Sequence, residues 1–170
     1  AYDAVQHEQV DLGDAEEGRQ VGACRGWDGH QGEVPGERVR GGDGDDVLIG
    51  DDGDNRLFGH AGDDTLTGGA GDDRLVGGSG TDTVDYSQSA ASVEVNLAQG
   101  AASGEDVGSD VLRTVENVIG GAGDDIITGS SGDNVLRAGD GDDTLYGGGG
   151  TDELYGGAGD YLYVASAGAI

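Results

Sequence analysis

The sequence predicts an all-β solenoid: a parallel stack of short strands joined by tight glycine-rich loops. Three observations predict it. A nine-residue unit recurs in two uninterrupted registers, from Gly41 to Asp85 and from Gly120 to Val164. All units but the last carry a short polar residue, nearly always Asp, at the sixth position, and every unit has an aliphatic or aromatic residue at its eighth. The composition is also too polar for an ordinary core, with 38 glycines in 170 residues and 35 Asp plus Glu against 8 Lys plus Arg.

The formal charge of -27 and the low apolar content favour disorder, because too little surface is buried to offset chain entropy. Self-repulsion opposes compaction further. A fold therefore needs counter-charge, and divalent cations are the most direct source. Eight cationic residues do not supply the basic clusters that nucleic acid requires, and anionic membrane surfaces are disfavoured for the same reason. No apolar run approaches a membrane span, so no membrane insertion is expected. No signal peptide is visible. The chain begins at Ala1 and lacks methionine, which reads as a processed, truncated or recombinant piece. Cys24 is the one cysteine, so it forms no internal disulfide and no thiolate metal cluster. A free, intermolecular or incidental cysteine remains.

In the first register the units read GGDGDDVLI, GDDGDNRLF, GHAGDDTLT, GGAGDDRLV and GGSGTDTVD. In the second they read GGAGDDIIT, GSSGDNVLR, AGDGDDTLY, GGGGTDELY and GGAGDYLYV. The sixth position holds Asp46, Asn55, Asp64, Asp73 and Asp82, then Asp125, Asn134, Asp143, Asp152 and Tyr161. The eighth holds Leu48, Leu57, Leu66, Leu75 and Val84, then Ile127, Leu136, Leu145, Leu154 and Tyr163. A flexible Gly/Asp linker would not keep an apolar residue at a fixed offset. Glycine at positions one, two and four permits a tight loop, and three residues remain for a strand. Position eight then points to one face and positions seven and nine to the other. Leu48, Leu57, Leu66 and Leu75 should stack inward, with Val47, Arg56, Thr65 and Arg74 outward. One such strand cannot bury itself, but many stacked rungs can.

These units resemble the RTX, or haemolysin-type, calcium-binding nonapeptide repeats. The segment between them, VDYSQSAASVEVNLAQGAASGEDVGSDVLRTVENVIGG, is similar to connectors found between repeat blocks of secreted RTX proteins. The resemblance implies a right-handed parallel β-roll with two nonamers per turn and several calcium ions between stacked loops. One loop would offer carbonyls from positions two and four with its position-six side chain. The next loop on that side would offer carbonyls from one and three with its own, giving six oxygens, a set calcium accepts. Carried onto this chain, Asp46 faces Asp64, with the carbonyls of Gly42, Gly44, Gly59 and Ala61. Asp64 faces Asp82, with His60, Gly62, Gly77 and Ser79. Asn55 faces Asp73, with Asp51, Gly53, Gly68 and Ala70. Asp125 faces Asp143, with Gly121, Gly123, Ala138 and Asp140. Asn134 faces Asp152, with Ser130, Gly132, Gly147 and Gly149. Asn55 and Asn134 offer a neutral oxygen, so their sites should be weaker. At the last unit, either Tyr161 stands at position six or a one-residue deletion brings Asp160 there.

Between the blocks, Ser92 to Leu97 alternates as a half-buried strand, with Val93, Val95 and Leu97 on one face. Asp110-Val111-Leu112 resembles a degenerate repeat, and Val115 to Ile119 is a further strand candidate. Residues 86–119 therefore read as wider rungs continuing the roll between the blocks at 41–85 and 120–164. The blocks are offset by 79 residues, not a multiple of nine, so the stacking must adjust there. Residues 1–40 hold Cys24, Trp27, His7, His30 and Pro35 and read as a cap, an irregular pre-repeat strand or an interaction segment. His7-Glu8 begins a zinc-protease motif that fails because position 11 is Asp11. Residues 165–170 form a tail shorter than the C-terminal secretion signals of the resembled family.

No catalytic constellation appears, so no enzyme is expected. Paired carboxylates could suggest glycoside hydrolysis, but their nine-residue period points to metal ligation. Three readings follow. The first is a calcium-binding structural module of a secreted protein, folding in extracellular calcium. The second is a self-assembling extracellular subunit of a filament or surface layer, associating end to end, with Phe58, Val76, Tyr146 and Tyr155 as outward apolar contacts. The third is the appended module of a secreted hydrolase or epimerase. Ice binding is set aside, because position five is mostly Asp and not a threonine ladder.

Overall fold

The computed structural model describes residues 38–164 throughout, with two short strands nearer the N terminus. Cys24, Trp27, His7, His30, Pro35 and residues 165–170 lie outside the described residues. Along the chain the strands are β1 (Gln9–Asp11), β2 (Val21–Ala23), β3 (Arg38–Asp43), β4 (Val47–Ile49), β5 (Arg56–Ala61) and β6 (Thr65–Thr67). They continue as β7 (Arg74–Ser79), β8 (Thr83–Asp85), β9 (Val93–Asn96), β10 (Ala101–Gly104), β11 (Gly108–Arg113) and β12 (Asn117–Ile119). The last five are β13 (Ile126–Thr128), β14 (Val135–Asp140), β15 (Asp143–Tyr146), β16 (Glu153–Ala158) and β17 (Tyr161–Val164).

Successive repeats alternate between two sheets. Sheet A runs β1-β3-β5-β7-β11-β10-β9-β13-β15-β17, and sheet B runs β16-β14-β12-β8-β6-β4-β2. Within each block the pairing is parallel with a step of 18 residues, such as Leu57 with Leu75 and Leu48 with Leu66. Two nonamers therefore make one turn. The register places the position-eight side chains inward up to Leu145, with Leu48, Leu57, Leu66, Leu75, Ile127, Leu136 and Leu145 all 0 % exposed, while Leu154 is half-buried and Tyr163 exposed at the last rungs. The core is a ladder one residue wide between the sheets.

Several boundaries differ from the sequence reading. Arg38-Val39-Arg40 already forms a rung ahead of Gly41, with Val39 paired to Leu57 and buried. Further upstream, β1 adds to β3 and β2 adds to β4. The last unit contains no deletion. Tyr161 pairs with Asp143 and Tyr163 with Leu145, so Tyr161 holds position six and Asp160 holds position five.

The connector is not a simple run of parallel rungs. β9, β10 and β11 form an antiparallel meander inside sheet A. β11 adds parallel to β7 and β9 adds parallel to β13. On sheet B, β12 alone lies between β8 and β14. The connector packs more apolar surface than a repeat does, burying Tyr86, Val93, Val95, Ala102, Val107, Leu112, Val115 and Val118.

Candidate metal centre

The loops gather at two edges of the stack. Loops 41–46, 59–64 and 77–82 pass from sheet A to sheet B, as do 129–134 and 147–152. Loops 50–55, 68–73, 120–125 and 138–143 return on the opposite edge. At each edge the position-six side chains form a buried column. Asp64 Oδ1 accepts the Asp46 main-chain N–H at 2.9 Å, and Asp82 Oδ1 accepts that of Asp64 at 2.9 Å. The same contact joins Asn55 to Asp73 at 2.8 Å, Asp125 to Asp143 at 2.8 Å and Asn134 to Asp152 at 3.1 Å. All five expected pairs are stacked neighbours.

This contact occupies one carboxylate oxygen. The other faces the gap between loops. Oδ2 of Asp64, Asp73, Asp82 and Asp143 is buried without a hydrogen-bond donor. A buried carboxylate oxygen without a partner is costly. Burial accordingly raises Asp64 and Asp73 to about 6, with backbone hydrogen bonds opposing the rise. Burial also raises Asp82, Asp125 and Asp143 above the usual carboxylate range, and neighbouring carboxylates add to it.

Main-chain oxygens enclose the same gap. A Cβ placed on Gly59 would meet both Asp64 Oδ2 and the Gly77 carbonyl. One on Gly41 would meet Asp46 Oδ2 and the Gly59 carbonyl. At Gly41 and Gly59 there is therefore no space for a side chain, whereas Ala138 shows that the second block admits one at position one. Conformation favours glycine at most position-two and position-four sites, as at Gly62 with φ 121, though Asp51 and Ser130 occupy position two without a positive φ. The carbonyls of Gly44, His60 and Gly62 face the next loop's glycines at the same edge. Those of Ala61 and Ser79 accept N–H groups from Gly44 and Gly62, at 2.6 and 2.9 Å. Among the described residues no group of three or more His, Cys, Asp or Glu side chains converges on one point. The donor set is instead two carboxylates with main-chain carbonyls, a hard-oxygen cage of the kind calcium takes.

The five pairs are not equivalent. In the Asp46–Asp64–Asp82 column the carboxylates of Asp64 and Asp82 keep their second oxygen for the gap. Elsewhere the first side chain of the column binds its own loop. The Asn55 amide donates to the carbonyls of Asp51 and Gly53, the ones expected to serve a metal. It also donates to Asp51 Oδ1 at 3.2 Å, and these acceptors fix its orientation. Asp125 Oδ2 accepts the Gly121 N–H at 2.8 Å, and Gly121 O accepts from Asp140. Asn134 Oδ1 accepts from Ser130 N at 2.7 Å, and Ser130 O accepts from Gly149. The remaining expected carbonyls, those of Gly68, Gly123, Ala138, Gly132 and Gly147, lie against neighbouring loops. Gly42 has φ 141 and pairs with His60 of the next loop at its edge.

Two further residues join the columns: Asp110, legible as the acid of a degenerate repeat, and Glu116, which the sequence did not mark. Asp110 accepts the Asp73 N–H at 2.9 Å, and its other oxygen accepts the Tyr86 hydroxyl at 2.8 Å. Burial raises Asp110 to about 7. Glu116 accepts the Asp82 N–H at 2.9 Å, although only three residues, 114–116, replace the usual six-residue loop. Position five also forms columns of its own. Asp45 accepts from Asp63, Asp54 from Asp72, and Asp124 from Asp142.

Such stacked Gly/Asp loops on a parallel solenoid define a calcium-binding β-roll. The sequence profile of the RTX calcium-binding nonapeptide repeat matches in four copies, at residues 36–66, 49–84, 115–136 and 128–162. These copies span more than half of the chain, which therefore belongs to the RTX calcium-binding repeat family. Two of them reach beyond the units read from the sequence, over the Val39 rung and over Glu116. No curated protein matches the chain.

Proposed function

We propose that this chain is a non-enzymatic structural module of a secreted protein, unfolded where calcium is scarce and folded outside the cell. The buried second oxygens of Asp64 and Asp82 carry this reading, since no protein donor satisfies them. Calcium, when bound, supplies the positive charge and oxygen affinity that such carboxylates lack. The Asp46–Asp64–Asp82 column would hold ions most firmly, because Asp64 serves two of its pairs and the second oxygens of Asp64 and Asp82 both lack a donor. Asn55 would hold one least firmly, because its amide already occupies the Asp51 and Gly53 carbonyls. Binding free energy then becomes folding free energy.

Far-UV circular dichroism during calcium titration into chelator-treated protein tests this. A cooperative coil-to-sheet change with calcium but not magnesium is expected. An equal response to magnesium, or none to either ion, would sink the reading.

A further inference from the structure

Stacking gathers cations that composition scatters. Arg38, Arg56 and Arg74 pair rung to rung on the outer face of sheet A. Arg40 and Arg113 stand at the ends of the next row, with Phe58 and Val76 between them. Five of the chain's eight cationic residues thus share one face. Arg38, Arg56 and Arg74 are exposed, and no described carboxylate pairs with them. Like charges stacked in register at about 4.8 Å repel one another, so the ladder favours an anionic counterpart of the same period.

The molecule carries such a counterpart at its other end. Position five forms four columns, and three of them are short of acids. Two in the first block end after two aspartates, at Thr81 and Ser109, and that of Asp133 ends at Thr151. The fourth runs Asp124, Asp142 and Asp160 without interruption, through hydrogen bonds of 2.9 and 3.0 Å. All three are exposed. Tyr161 denies this edge its last position-six carboxylate, so less of the acidity there is offset by a metal pair.

We propose that the Arg38–Arg56–Arg74 ladder docks onto the Asp124–Asp142–Asp160 column of a second copy of this chain. Both ladders have three members, and both take their spacing from parallel rungs, so they are commensurate by construction. Arginine forks suit carboxylates bidentately. The two surfaces differ, so the contact is head-to-tail and leaves each assembly open at both ends. The proposal rests on the calcium-folded state.

Sedimentation velocity in calcium, over a range of concentrations, tests it. The wild-type chain should associate, and salt at about 0.5 M should disperse it. Arg56→Gln with Arg74→Gln should weaken association about tenfold, as should Asp124→Asn with Asp142→Asn. An equimolar mixture of the two variants should stop at a dimer, since only one pair of intact ladders remains. A folded wild type that stays monomeric overturns the docking and leaves calcium-driven folding standing. Association that survives high salt or the arginine substitutions overturns it too. So does a monomer that binds heparin through this face, which would assign the ladder to an anionic polysaccharide. Loss of the calcium-induced dichroism change would instead overturn the folding reading beneath it.

Discussion

In the first repeat block each rung buries one aliphatic side chain at position eight and one Asp or Asn at position six, Leu66 with Asp64 for instance, and Asp64 Oδ2 has no donor. In the connector Asp110 stands in the same kind of column, yet its second oxygen accepts the Tyr86 hydroxyl. The connector also closes its turns with protein donors. Asp106 accepts the N–H groups of Ala90 and Ala91, both at 2.9 Å. The same solenoid thus contains one stretch finished by its own side chains and another that needs an external cation. The difference lies in what a rung has to spare. Nine residues with one inward apolar side chain leave no buried aromatic to cap a carboxylate, whereas the connector buries Tyr86, Val93, Val95 and Leu112.

Asp64→Ala should break the comparison most severely. Asp64 is shared by the pairs with Asp46 and Asp82, so its loss damages two cages together. The calcium midpoint of folding should rise about tenfold or more, with fewer ions bound by calorimetry, because ion binding drives folding. In chelator, hydrogen exchange at the Asp46 and Asp64 amides should outpace exchange at Val93, Ala102 and Leu112.

Acidification offers the next largest effect. Folding raises Asp64 and Asp73 to about 6 and Asp110 to about 7, so the folded chain takes up protons. In chelator, stability should therefore rise as pH falls through 7 and 6, and be lost as pH rises through those values. With calcium present the trend should reverse, since protons compete for Asp64 and Asp73 oxygens. The sheet signal of the chelator-treated chain at several pH values checks the first sign, and the calcium midpoint of folding at the same pH values checks the second.

Tyr86→Phe should sharpen the contrast. It strands a buried carboxylate oxygen and should cost about 1–3 kcal/mol in urea unfolding. The number of ions bound in the first block should stay unchanged. The smallest effect is expected from His60→Gly. His60 holds φ 86, which an L side chain adopts at a cost. Removing the side chain should stabilise the roll by up to about 1 kcal/mol, less what the glycine loses in chain entropy, and raise the thermal midpoint.

The repeat was legible because position eight and position six recur at fixed offsets, and stacking two nonamers per turn makes residues 18 apart neighbours. The connector was only half legible. Val93 and Val95 announced a strand, but β10 carries Ala101, Ala102, Ser103 and Gly104, which signal no strand. Asp110 lies 37 residues from Asp73 and Glu116 lies 34 from Asp82, so neither offset fits the period. Asn55 was read as a weaker ligand from its charge alone. That its amide turns onto the Asp51 and Gly53 carbonyls required the loop's geometry. The arginine ladder was hidden by counting cations in place of folding the period, although Arg56 and Arg74 are 18 residues apart.

The meander gives sheet A three strands where sheet B has only β12. At about 4.8 Å per strand, one wall is longer than the other by about 10 Å over the same stretch of chain. Both walls can keep their hydrogen bonds only if the stack leans toward the short side, as a keystone turns a course of bricks. The connector is where that difference in length has to be absorbed. How one block sits on the next is thus decided in the connector, by residues 86–119, and not by the repeats themselves.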